Sequence, residues 1–218
     1  MYLLAPTALR LPPADFADRV RARFVNDLRR AGRFAQLCLL GAQACLDAAG
    51  GDGPLGVLWA TRLGPLHGTR AALDDGLRRG EPAMPFAFIA TQPHLAGALL
   101  AQRGLPVARA ACLYLAPDAW TRLLPLAGRW LADCERVLLG WVEESGSEVE
   151  AHRSDWCLLR GAPVAGAIRC ERHPGRSGAP AVGGGEWIAR LGAWGAAPRA
   201  PLLLAGSEDA WRFTLPRR

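Results

Sequence analysis

Apolar positions in the first part of the chain alternate between helical spacing and short continuous runs. The helical spacing predicts helices over residues 14–30, 32–49, 66–79 and 94–103. The segment 32–49 has almost no polar face, which indicates a buried helix, and Gly50 and Gly51 provide its stop. Gly80 ends the third of these helices in the same way.

Short apolar runs bounded by glycine and proline predict buried strands over 54–62, 107–115 and 135–144. Three prolines in 81–93 argue against a regular helix there. Asp118 is placed to cap a helix that runs to about Leu131, with a kink at Pro125. Helices that alternate with apolar strands indicate an α/β fold with a mainly parallel sheet covered on both faces.

The last third of the chain is richer in strands with short connections. Residues 155–161 and 164–172 predict a hairpin that turns at Gly161-Ala162-Pro163, which adds antiparallel strands at one edge of the sheet. Residues 173–185 have the composition of a flexible loop, and a short helix and two strands follow. We see no repeat and no long linker, so residues 1–218 are interpreted as a single domain.

The charge of the chain is carried by arginine alone. All 26 basic residues are arginine, and the net charge is +6. The densest cluster is Arg29, Arg30 and Arg33, and no basic stripe is interleaved with aromatic residues. This distribution argues against a nucleic-acid partner and favours an acidic protein partner.

Several targeting and chemical classes are not expected. The opening residues lack a basic region and are broken by Pro6, and no apolar run reaches the roughly 20 residues that span a membrane, so we expect no membrane span and a cytoplasmic protein. The six cysteines show no C-x-x-C pair or zinc spacing and are interpreted as reduced core residues. No metal or cofactor is expected.

The polar residues match no common catalytic motif. Gly183-Gly184-Gly185 is not a phosphate loop, because no strand leads into it and no Lys-Ser or Lys-Thr follows, and there is no G-x-S-x-G elbow. The four histidines are far apart in sequence, and His152 and His173 are interpreted as solvated loop residues. Glu143 and Glu144 are interpreted as exposed charges at the end of a strand.

The order of the elements over residues 25–160 resembles the N-terminal region of β-ketoacyl synthases. The resemblance rests on the helix that ends in A-A-G, the strand GVLWATR, the R-R-G-E-P turn, the helix and strand GALLAQRGLPVARAACLYL, and ERVLLGWVEE. The segment from Leu28 to Arg33 resembles the arginine-rich lead-in of that family. The nearest likeness is to half-length, chain-length-factor-like members of aryl polyene and similar pigment clusters. It implies a thiolase-like half-fold.

In that family a cysteine nucleophile lies on the turn between a buried strand and a long helix. The family spacing places this position at Leu115 or Ala116, and neither side chain can attack a thioester. Cys112 is the nearest thiol but is expected inside the strand. The histidines of a ketosynthase belong to the family's C-terminal half, before which this chain is expected to end. The resemblance therefore implies a chain that is not an enzyme by itself.

The resemblance also implies a partner. In the family the strand written here as VARAACLYL pairs across a dimer axis, so we expect this chain to form a heterodimer with a full-length ketosynthase and to act with an acyl carrier protein. The expected interface residues are Val107, Arg109, Ala110, Ala111, Leu113 and Leu115. The helix after the proline-rich segment is expected to reach the partner's acyl tunnel, through His94, Leu95, Ala98, Leu99 and Gln102. Leu95 and Leu99 can equally belong to this chain's own core.

Two alternatives fit the same sequence. The first is a free-standing acyltransferase or thioesterase that uses Cys112 with His94. The second is a homodimer that binds acyl carrier protein without catalysis. The leading hypothesis is a non-catalytic subunit that helps to set product length in polyene, polyketide or fatty-acid-type synthesis.

Overall fold

The structure is a computed structural model that describes residues 1–24, 28, 31–80, 84–147, 149–173, 181–198, 200–206 and 209–215. It has eight strands: β1 (Tyr2–Leu11), β2 (Leu55–Thr61), β3 (Val107–Tyr114), β4 (Arg136–Glu143), β5 (His152–Arg160), β6 (Ile168–His173), β7 (Leu202–Ala205) and β8 (Ala210–Thr214). The seven α-helices are α1 (Phe16–Arg23), α2 (Arg33–Ala49), α3 (Leu66–Arg78), α4 (Pro85–Ala90), α5 (Leu95–Gln102), α6 (Leu123–Trp130) and α7 (Glu186–Ala196).

All eight strands form one sheet in the order β3-β2-β4-β5-β1-β6-β8-β7. Strands β3, β2 and β4 pair in parallel, and every pairing from β4 to β7 is antiparallel. The α/β class is confirmed, with parallel pairing confined to one end of the sheet. The prediction of a mainly parallel sheet is wrong, because among the pairings of the described strands β2–β3 and β2–β4 are parallel and the other five are antiparallel.

Each face of the sheet is covered by helices and has its own apolar core. On one face α6 and α7 pack over a cluster in which the rings of Trp120 and Trp187 stack at 4.8 Å. On the other face α1, α2 and α5 cover Trp59 and Trp156. The sheet therefore lies between two helical layers, as the alternation of helices and strands predicts.

Helix α2 lies against the sheet because a glycine faces it. Gly41 leaves room for the Trp156 ring and for Ser154, whose hydroxyl donates to the Leu37 carbonyl oxygen at 2.8 Å. Nine of the 17 residues of α2 are buried. The helix ends at Gly50, which has φ of 63°, a conformation that glycine adopts without a steric cost. The prediction of a buried helix with a glycine stop is confirmed.

Three predictions of local structure are wrong. Residues 85–90 form α4, because Pro85 occupies the first helical turn, where a missing N–H costs nothing. Strands β5 and β6 are not a hairpin, because β1 lies between them. A 3₁₀ helix, Pro117–Arg122, precedes α6 and is capped by Ala116, so Asp118 lies in its first turn and not at the cap.

Part of the loop prediction falls outside the described residues. Residues 174–180 of the predicted loop 173–185 lie outside the described residues. Residues 25–27 and 29–30 of the predicted first helix do so as well. His173 is the last residue of β6. Val182 is buried in the core under α6 and α7, so the end of the segment packs on the fold.

Candidate partner-binding edge and buried polar cluster

Strand β3 forms one edge of the sheet. It pairs with β2, and within the described residues no strand pairs with its other side. The sequence predicts a buried strand here, but the single chain leaves β3 only half-covered because one neighbour is missing. The expected interface residues are half-buried at Val107, Ala111, Leu113 and Leu115 and exposed at Arg109 and Ala110. Unpaired backbone N–H and C=O groups along such an edge can pair with another chain.

The side chains of β3 alternate between the two helical layers. Ala110 faces α5 so closely that a Cβ on Gly97 would lie 2.5 Å from the Ala110 methyl. Arg109 faces the other layer, where it pairs with Asp133 at 2.8 Å and lies over the Trp130 ring. The edge thus offers apolar surface on both sides: Cys112 packs on the core under α5, and Ala111, Leu113 and Leu115 pack on the core under α6, beside the Arg109–Asp133 pair.

Helix α5 has one exposed face. His94 at its N-cap, Ala98 and Gln102 are exposed and follow one another at four-residue spacing, which places them on one side of the helix. Leu95 and Leu99 are half-buried and pack on the core beneath α2. The five residues expected near an acyl tunnel therefore divide into an exposed set of three and a core-packed set of two.

A 3₁₀ helix, Pro117–Arg122, begins soon after β3 ends. Ala116 caps the 3₁₀ helix and accepts the Ala119 N–H at 2.9 Å. The N–H of Leu115 donates to the Thr61 carbonyl oxygen at 3.0 Å. Leu115 and Ala116, the two positions predicted for the nucleophile, therefore lie between the end of β3 and the first turn of this helix.

Cys112 lies within β3 and is the one half-buried cysteine of the six, all of which the structure describes. Burial raises the pKa of its thiol to about 12, with a smaller contribution from the charge of Glu143. A thiol with this pKa is protonated at neutral pH, so it is a poor nucleophile. His94 lies at the exposed start of α5.

A polar cluster lies at the carboxyl ends of the parallel strands. Glu144, which follows β4, is 3% exposed and accepts the His67 backbone N–H at 2.7 Å at the start of α3. Its other oxygen, Oε1, has no hydrogen-bond partner among the described residues. Burial raises the Glu144 pKa to about 7, although the amide hydrogen bonds and the Arg33 charge act to lower it. The interpretation of Glu144 as an exposed charge is wrong.

Two histidines complete the cluster. Nε2 of His67 lies 3.1 Å from the Ser145 carbonyl oxygen and 3.2 Å from Nη1 of Arg33, so this nitrogen either donates to the carbonyl or accepts from the guanidinium. His152 is fully buried at the start of β5, and its Nδ1 accepts the Ser145 N–H at 3.0 Å. The prediction that His152 is solvated is wrong, because α1 places the Phe16 ring edge-to-face against its ring, with the centroids 5.3 Å apart.

Glu143 joins the ends of β2 and β4. Its carboxylate accepts the Arg62 backbone N–H at 2.6 Å and the Trp141 indole N–H at 3.1 Å. Burial raises the Glu143 pKa. Both glutamates line a cavity of about 360 Å³ that also contacts Pro117 and Arg153. Their position was open to prediction, since carboxyl ends of neighbouring parallel strands meet at one edge of the sheet.

Other classes of site find little support in the described part of the chain. No group of three or more His, Cys, Asp or Glu side chains there has the geometry to hold a metal ion. No helix of the described residues is long and apolar enough to cross a membrane.

The arrangement of sheet and helices is the thiolase-like fold of the ketosynthases, so the resemblance found in the sequence is confirmed at the level of the fold. No family model matches the chain, and no curated protein matches it either. The chain is similar to several solved structures, of which three follow.

The chain is similar to a structure of a ketosynthase (ApeO) in complex with its chain length factor (ApeC) from Xenorhabdus doucetiae, with a TM-score of 0.64 at 14% identity over 98% of this chain and 98% of the matched chain. It is also similar to the ishigamide ketosynthase/chain length factor, with a TM-score of 0.52 at 14% identity over 79% of this chain and 68% of that chain. The third is a type II polyketide synthase acyl carrier protein in complex with its ketosynthase bound to the hexaketide (AntDE:AntF), with a TM-score of 0.51 at 13% identity over 79% and 69%.

Proposed function

We propose that this chain is a non-catalytic, chain-length-factor-like subunit that pairs with a full-length ketosynthase. The observation that supports this most directly is the half-covered edge strand β3, which has apolar residues on both sides and whose outer backbone groups lack a strand partner in the described residues. Two of the similar structures join a ketosynthase to a chain length factor. Pairing through β3 would extend the sheet across the dimer.

The second part of the proposal is a role in product length. The exposed face of α5, formed by His94, Ala98 and Gln102, lies beside the edge strand, since α5 packs on β3 through Gly97 and Ala110. A partner that pairs with β3 would therefore meet this face. We propose that it forms part of the wall of the partner's acyl tunnel, with the acyl chain delivered by an acyl carrier protein in the cytoplasm.

Two other functions share the same surfaces. A free-standing acyltransferase or thioesterase would need the Cys112 thiolate, which the pKa of about 12 disfavours at neutral pH. A homodimeric carrier-protein-binding scaffold would use β3 with a second copy of this chain. Co-expression with a full-length ketosynthase from the same organism, followed by affinity purification and mass measurement of the complex, separates a heterodimer from a homodimer. A chain that purifies only with itself would contradict the proposed function.

The proposed absence of catalysis gives a direct prediction. The purified chain is expected to show no condensation and no malonyl decarboxylation, and Cys112→Ala is expected to leave acyl transfer from carrier protein at the uncatalysed rate. In the native chain Cys112 is expected to react slowly with a thiol reagent, and the five buried cysteines are expected to react only on unfolding. A turnover of acyl carrier substrate that Cys112→Ala abolishes would overturn the non-catalytic assignment.

The tunnel wall is tested by filling it. Ala98→Trp places a large ring on the exposed face of α5, so we expect the complex to remain intact and its products to be shorter. The matched control is Ala162→Trp, at an exposed position in the connection between β5 and β6. Products of the reconstituted pair are measured by mass spectrometry. Unchanged product length in an intact complex would remove the role in chain length and leave a scaffolding role.

A further inference from the structure

Helices α3 and α4 form a helical layer that the chain itself leaves uncovered. None of the 13 residues of α3 or the six of α4, all of which the structure describes, is buried. The two helices pack on each other and on α2. Ala90 at the end of α4 lies against the backbones of Gly32 and Gly68, where a Cβ would come within 2.9 and 2.7 Å of its carbonyl oxygen. This close fit fixes α4 in place, although its side chains remain exposed.

The exposed side of α3 is an apolar stripe. Leu66, Leu73 and Leu77 are spaced to lie along one side of the helix. Leu66 is half-buried beside Gly146, whereas Leu73 is 53% and Leu77 is 81% exposed. The exposure of these leucines therefore increases along the helix from Leu66 to Leu77. A helix with this pattern normally buries such a stripe against another element.

Helix α4 continues the apolar surface. Phe88 is 61% exposed, and Met84 and Ile89 beside it are also exposed. Two ion pairs lie near the stripe, Asp74 with Arg78 and Asp75 with Arg79, each at 3.0 Å, and Arg70 adds an exposed positive charge. We call Leu73, Leu77, Met84, Phe88 and Ile89 the α3–α4 patch. A large exposed apolar patch with a polar rim is typical of a protein–protein interface.

The α3–α4 patch is continuous with the edge strand. The turn before α3 lies against the end of β3, where Gly64, with φ of 66°, leaves no room for a Cβ beside the Tyr114 hydroxyl. Leu63 and Tyr114 on this turn and strand end are both exposed. Helix α5 also links α4 to β3. Four residues separate it from α4, and it packs on β3. One exposed surface therefore runs from β3 to α4.

We infer that the α3–α4 patch is the second half of the ketosynthase-binding surface, a conclusion that rests on the proposed function. Strand pairing along the eight residues of β3 is a narrow contact, whereas stable complexes bury about 800 Å² on each partner. The patch supplies apolar area next to that strand. The acidic carrier protein is a poorer occupant, because the five residues of the patch are all apolar and carry no positive charge.

The test is a charge substitution in the patch. In the double variant Leu77→Asp/Phe88→Asp both side chains start from exposed positions, so the thermal unfolding temperature is expected to stay that of the wild type. The dissociation constant for a full-length ketosynthase that binds the wild-type chain is expected to rise at least tenfold. Hydrogen exchange of the α3 and α4 amides is expected to slow when the complex forms. The control is Val149→Asp, since Val149 is 89% exposed in the connection between β4 and β5.

Three results would overturn the inference, and they are distinguishable. If the double variant binds like the wild type and exchange is unchanged, the patch lies outside an interface that exists, and the proposed function stands. If the wild type binds no ketosynthase but the double variant converts a homodimer to a monomer, the occupant is a second copy. If the wild type binds neither a ketosynthase nor a second copy of itself, the proposed function and the inference are both wrong.

Discussion

Replacing Ala110 by aspartate is expected to prevent the chain from co-purifying with a ketosynthase. Ala110 lies in the middle of the edge strand, exposed in the single chain, with its methyl group against Gly97 of α5. If a partner strand covers β3, the new carboxylate is buried there without a counter-charge. An unpaired buried charge costs on the order of 3–5 kcal/mol, which is a loss of more than a hundredfold in affinity.

The control for this variant separates binding from folding. Ala110→Ser keeps the size of the side chain and its neutrality, so the complex is expected to survive. Ala162→Asp introduces the same charge at an exposed position in the β5–β6 connection. Circular dichroism and thermal unfolding of Ala110→Asp are expected to match the wild type, since the residue is exposed in the free chain. A complex that tolerates Ala110→Asp would place the interface elsewhere.

The regular elements with strong periodicity were predictable from the sequence. Helix α2 and strand β2 are buried along most of their length, so their apolar pattern is continuous and their glycine ends are clear. Strand β1 was not predicted, because its pairing is set by two distant strands. It separates β5 from β6, which a local reading joins as a hairpin across Gly161-Ala162-Pro163. Pairing between distant segments leaves no signal in the turn.

The polar cluster was missed for a similar reason. Glu144 and His152 belong to a segment whose composition is that of an exposed loop, and the burial of both comes from elements elsewhere in the chain. The start of α3 brings the His67 amide to Glu144, and α1 brings Phe16 over His152. Each of these contacts depends on the complete fold. The apolar run over 107–115 predicts a strand, but a buried one, and the expectation that it pairs with a partner came from the family resemblance.

Replacing Glu144 by glutamine is expected to stabilise the chain above neutral pH. The carboxyl is almost fully buried, and its pKa is raised from 4.5 to about 7, mainly by burial. Below about pH 4.5 it is protonated in the folded and unfolded chain and contributes no pH dependence. Between about 4.5 and 7 the unfolded chain loses this proton and the folded chain keeps it. Rising pH therefore lowers the free energy of unfolding over this window.

Above pH 7 Glu144 is ionised in the folded chain as well, so the full loss of stability from burying this charge is present. The difference between the two pKa values corresponds to about 3 kcal/mol of stability lost at pH 8. Glutamine has the shape of a protonated glutamate, and its carbonyl oxygen can still accept the His67 N–H. The variant is therefore expected to match the wild type near pH 4.5 and to exceed it by up to about 3 kcal/mol at pH 8.

The measurement is urea unfolding of both proteins from pH 4.5 to pH 8.5, with the difference in free energy plotted against pH. Glu143 and Asp155 are present in both proteins, so the difference between the two curves reports on Glu144. Glu150→Gln is the matched control, because Glu150 is an exposed carboxylate that lines the same cavity, and a flat difference is expected for it. A flat difference for Glu144→Gln as well, or one that falls as pH rises, would show that Glu144 is ionised without penalty in the folded chain.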